Sequence, residues 1–157
     1  MIDKTEWIPG FVVNTYDALN YDIDLPCIDK QRYKILDHII SNQYHYKNVL
    51  HGVMSPEQAS ESYRCRLNGI EINSKIYNRK QIKQYSYDVK NLIDSVDGHV
   101  YLMIKGTDIF NRLLVDIYIE PLNIHLCHYL LDKSSQDKNL PFVRYVNKSF
   151  KKLNYIK

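Results

Sequence analysis

The sequence predicts an α+β domain in which short antiparallel strands curl into a small barrel braced by about three helices. Three patterns carry that prediction. Tyr21, Ile23 and Leu25 alternate with Asp22 and Asp24, and Tyr63, Cys65 and Leu67 alternate with Arg64 and Arg66, so each run has one dry and one wet face. Ile82, Tyr85, Val89, Leu92, Ile93 and Val96 recur at helical spacing. Two apolar runs, 99–104 and 112–119, flank Lys105-Gly106-Thr107 and read as a hairpin.

In chain order, residues 11–25 form strands broken by a turn near Asp17-Ala18, with Val13 before it and Pro26 closing the second strand. Residues 29–41 read as a helix with Asp29 as N-cap and Ile35, Leu36, Ile39 and Ile40 on one stripe. The stretch 42–61 reads as loop or a further short helix, and a strand follows at 63–67. The next helix spans about 78–95 and stops at Asp97-Gly98. After the hairpin, Pro121 ends its second strand, and 122–132 form a helix with Leu126, Tyr129 and Leu130 inward. Residues 134–157 read as a peripheral tail with a basic end. Strands this short close most economically into a barrel of the OB type, which removes open edges and offers one face to oligonucleotides.

A chain of 157 residues fits a single domain, 1–157. No apolar run approaches the roughly 18 residues that cross a bilayer, and Met1–Glu6 is too polar for a signal peptide, so an intracellular protein without a membrane partner is expected. Cys27, Cys65 and Cys127 lack metal-ligand spacing and leave one unpaired, which fits a reducing compartment. The net charge of +3 permits an anionic partner without demanding one. His45, His51 and Cys65 are spaced too irregularly for a transition-metal site. Tyr44, Tyr46, Tyr77, Tyr85 and Tyr87 belong to a general excess of tyrosine and read mainly as packing or surface residues.

Two blocks are more specific. Tyr63-Arg64-Cys65-Arg66-Leu67-Asn68-Gly69-Ile70-Glu71 is an alternating strand with two arginines, ended by a glycine with a carboxylate beyond. Asp108-Ile109-Phe110-Asn111-Arg112-Leu113 sets another arginine at the start of an apolar strand. Arginines and a carboxylate converging on one groove are what phosphate binding or phosphodiester chemistry asks for.

In this order, and separated by one helix, the blocks resemble the staphylococcal nuclease (thermonuclease-like) family. Its central pattern, Tyr-Arg-Leu-Arg-Leu-x-Gly-Ile-Asp-Thr-Pro-Glu, is matched from Tyr63 to Ser74, and its Asp-x-Tyr-Gly-Arg-x-Leu pattern from Asp108 to Leu114. Its opening turn resembles Tyr16–Asn20 and its later strand and helix resemble 117–131. The likeness covers about 11–132, with 26–60 as an insertion that offers a surface to a protein partner.

The resemblance implies calcium-dependent cleavage of DNA or RNA, single-stranded above all. Arg66 and Arg112 would hold the phosphate, and Glu71 with Asp17 or Asp22 would hold the ion. The departures imply the opposite. In ungapped register the family's first metal-binding aspartate falls on Leu19, whereas a gap brings Asp22 there; the catalytic glutamate falls on Ser74. A module without catalysis, acting in binding or scaffolding, is therefore the alternative expectation.

Overall fold

The computed structural model describes residues 7–25, 62–73, 75, 78–110, 112–137 and 141–144. The expected helix at 29–41, the segment 26–60, Ser74, His45, His51 and the lysine-rich end at 148–157 lie outside the described residues.

β1 (Ile8–Thr15) and β2 (Asn20–Asp24) form an antiparallel hairpin around the expected Asp17-Ala18 turn. The Asp17 carboxylate shapes that turn by accepting the Leu19 and Asn20 amides at 2.7 and 2.8 Å. β2 then pairs antiparallel with β3 (Ser62–Leu67), setting Tyr21 opposite Cys65 and Ile23 opposite Tyr63; all four side chains are fully buried or nearly so. β5 (His99–Thr107) pairs with β1 on one side and with β6 (Leu113–Ile119) on the other. A parallel pairing of β3 with β6, Cys65 to Leu113 through Leu67 to Val115, closes the ring. The result is a closed five-stranded barrel in the circular order β1-β2-β3-β6-β5, an OB-like arrangement.

α1 (Arg79–Asp94) lies between the third and fourth barrel strands and buries Ile82, Tyr85, Val89 and Ile93, the apolar stripe read from the sequence. Asn78 caps it by accepting the Gln81 amide at 3.2 Å. Its stop is local. Asp97 and Gly98 adopt φ of 55° and 80°, and a Cβ on Gly98 would stand 2.9 Å from the Phe11 ring and 3.0 Å from the Val12 carbonyl.

The hairpin of β5 and β6 is longer than the sequence suggests. Lys105-Gly106-Thr107 belongs to β5, with a register shift between Ile104 and Gly106, and the reversal falls after Thr107. After β6, a 3-10 turn (Glu120–Leu122) and the short β7 (Ile124–His125) precede α2 (Leu126–Ser135), so that helix starts later than 122; Pro121 and the left-handed Asn123 delay it. Leu126 and Leu130 point inward as expected and are fully buried. Within the stretch read as a tail, β8 (Phe142–Arg144) pairs with β4 (Ile70–Ile72) as a second, two-stranded sheet. Ser134 is fully buried there, its hydroxyl bonded to both the amide and the carbonyl of Phe142. Among the described residues no helix is long and apolar enough to cross a membrane.

Candidate phosphate-binding corner

Barrel closure brings three distant segments together at one corner. In β2 and β3, residues of one parity face the core, so Asn20, Asp22, Arg64 and Arg66 share the outer face. Asn20 stands directly opposite Arg66. The parallel pairing of β3 with β6 sets Arg66 opposite Leu114 and delivers Arg112 to the same place.

The loop before β6 is organised by one carboxylate. Asp108, 5% exposed, accepts the Phe110 and Arg112 amides at 2.8 and 3.0 Å through Oδ1 and pairs with the Arg112 Nε at 2.5 Å through Oδ2. Its own amide donates to the Arg112 carbonyl at 3.0 Å, which closes the loop as a ring. Held this way, the Arg112 guanidinium reaches across the barrel seam, and its Nη1 donates to Asn20 Oδ1 at 3.0 Å. The amide nitrogen of Asn20 turns back to both Asp17 oxygens, at 3.1 and 3.2 Å.

Arg66 is less satisfied. Its Nη2 donates to the Ile70 carbonyl at 3.4 Å, near the limit of a hydrogen bond, while its Nε is buried without a partner. Asn20 is thus the meeting point: bonded to Arg112 and cross-strand neighbour of Arg66. Beneath the turn, Tyr21 donates to the Ala18 carbonyl at 2.5 Å; burial, with the Asp17 charge adding to it, pushes its hydroxyl well above the usual tyrosine value and keeps it neutral.

The acidic candidates do not gather around this corner as a cation cage. Asp17 directs its oxygens at the turn amides and at Asn20. Asp22 lies one strand pair further along, opposite Arg64, with Arg64 Nε at 2.7 Å, Asn14 Nδ2 at 3.2 Å and the Tyr16 hydroxyl also donating to it. Burial pushes the Asp22 carboxyl upward, but these hydrogen bonds outweigh it and hold the group below the usual carboxylate range. Glu71 is exposed on β4, in the second sheet, opposite Val143. Leu19, at the family's first metal position in ungapped register, is 3% exposed and belongs to the core. Among the described residues no three His, Cys, Asp or Glu side chains are grouped to hold a metal. Calcium takes six to eight oxygen ligands, and carboxylates arranged in this way do not fit it.

Cys65 is fully buried, and burial pushes its thiol far above the ordinary value; the Cys127 thiol, buried likewise, is pushed up to about 11. Tyr85 packs edge-on against Phe142 and donates to Asp137, which makes it a structural residue. Sequence reasoning missed Asn20 and the part played by Asp108. The available signals were the spacing of Asp17 to Asn20, which suits a side-chain-closed turn, and of Asp108 to Arg112, which spans one tight loop.

No model of a known protein family matches the chain, and no curated protein matches it.

Proposed function

We propose that this protein is a staphylococcal-nuclease-like barrel that binds single-stranded DNA or RNA by holding a backbone phosphate between Arg66 and Arg112, without cleaving it. The observation that carries this reading is the convergence on Asn20: the Arg112 guanidinium is bonded to it, and Arg66 is its cross-strand neighbour on the same outer face, 46 residues away from Arg112 in the chain. The buried, unpartnered Nε of Arg66 supports it too, because an unpaired guanidinium donor is costly and an anion alongside would relieve it. Asp108 offsets the charge of Arg112, whereas Arg66 has no ion pair among the described residues.

Binding is favoured over hydrolysis by the acidic residues. Leu19 offers no ligand and Asp22 is committed to Arg64. A second reading, a protein-interaction module, draws on the loop tip beside the corner, where Ile109 and Phe110 are 70% and 69% exposed.

Fluorescence anisotropy with a labelled single-stranded oligonucleotide tests the proposal. Affinity should fall with salt, with a slope of about −0.7 per phosphate held. Arg66→Gln should weaken binding and flatten that slope by about one phosphate contact, and added calcium should give no cleavage products. Binding that ignores salt, or is unchanged by Arg66→Gln, would overturn the phosphate reading and favour a protein partner. Calcium-dependent products lost in Arg66→Gln would restore the nuclease.

A further inference from the structure

We infer that Tyr16 and Arg64 form a nucleobase platform next to the phosphate corner, so that the ligand is a strand with bases and not an isolated phosphate group. This rests on the phosphate reading above and extends it to a second contact. Arg64 precedes Arg66 by two residues and shares its face, about 6.6 Å along the strand. Its guanidinium carbon lies 4.1 Å from the centre of the Tyr16 ring. Nε is held by Asp22 at 2.7 Å, and Nη2 donates to the Tyr16 hydroxyl at 2.9 Å.

Three properties make this a surface for a base. The first is exposure: Tyr16 is 52% exposed and the Arg64 side chain 45%. The second is rigidity, since Asp22 fixes the cation against the ring before any ligand arrives, and a planar group already in place loses little freedom on stacking. The third is charge. Asp22 is ionised and offsets Arg64, so the cluster has no net attraction for a second phosphate, while its stacked π surface still accepts a base. Phosphate at Arg66 and base at the Tyr16–Arg64 pair then follow the line of β3, which carries both arginines.

The test compares an oligothymidylate with an abasic oligonucleotide carrying the same number of phosphates. Wild-type protein should bind the first about tenfold more tightly, within the range that one stacked base supplies. Tyr16→Ala should erase that preference and leave abasic binding within about twofold of wild type, whereas Tyr16→Phe, which keeps the ring, should retain most of it. Equal binding of both oligonucleotides by wild type would overturn the platform and leave the phosphate corner standing. So would a preference that survives in folded Tyr16→Ala, verified by its circular dichroism spectrum. Binding of neither oligonucleotide would overturn the phosphate reading, and the platform with it.

Discussion

Asp108→Ala should lower the melting temperature by about 10 °C, the largest loss expected from a single polar side chain in the described barrel. Removing one member of a buried ion pair costs about 3–5 kcal/mol, and in a domain of this size each kcal/mol shifts the midpoint by about 2–4 °C. Three donors lose their acceptor together: the Phe110 amide, the Arg112 amide and the Arg112 guanidinium. The loop that delivers Arg112 to the corner loses its organising group, so oligonucleotide binding should weaken in the same variant. Asp108→Asn separates the contributions. Its carbonyl oxygen still accepts the two amides, so about half the stability should remain while the charge opposing Arg112 disappears. Thermal unfolding followed by circular dichroism gives both values; a shift under about 2 °C for Asp108→Ala would contradict the ring-closing role.

Leu19→Asp introduces the residue type that the thermonuclease-like pattern has at that register, and it should be strongly destabilising. The side chain belongs to the core with Tyr21 and Ile23. Losing its apolar contacts costs about 2–5 kcal/mol, and burial of a carboxyl group adds to that. The pH dependence has a definite sign. A carboxyl buried in the folded state has a raised pKa there, so unfolding releases a proton, and the loss should deepen as pH rises above the ordinary carboxylate range. Millimolar calcium should leave the melting temperature of this variant unchanged. A calcium-dependent rescue would mean that the position faces a cation site, because a ligand that binds only the folded state must stabilise it.

Much of the barrel was legible because the periodicities are local. The alternation of Tyr21, Ile23 and Leu25 with Asp22 and Asp24 sends the first three inward and turns Asp22 outward, as a pleated strand must. The stripe from Ile82 to Ile93 is equally local, and so is the stop at Asp97-Gly98. Closure is different. The parallel pairing of β3 with β6 joins segments that no local pattern links, and it alone sets Arg112 beside Asn20. Similarly, nothing local in Leu140-Pro141-Phe142-Val143 announces that it pairs with β4.

The site was readable in part for the same reason. The arginine blocks stand out by composition and order, whereas side-chain commitments depend on what the folded chain brings near. Asp17 and Asp22 lie five positions apart and look interchangeable in sequence, yet one closes a turn and the other pairs with Arg64. Asn20 had no assigned role in the sequence, and only the cross-strand register sets it beside Arg66 while Arg112 bonds to it.

That link can be measured as a coupling energy. Arg66→Gln, Arg112→Gln and the double variant, each titrated with the same single-stranded oligonucleotide, form a double-mutant cycle. If both guanidinium groups hold one phosphate, each single change should weaken binding about tenfold or more, and the double variant should bind little worse than the weaker single, leaving a coupling above about 1 kcal/mol. Losses that add to within about 0.5 kcal/mol would show that the arginines act on separate groups, and would contradict a shared phosphate.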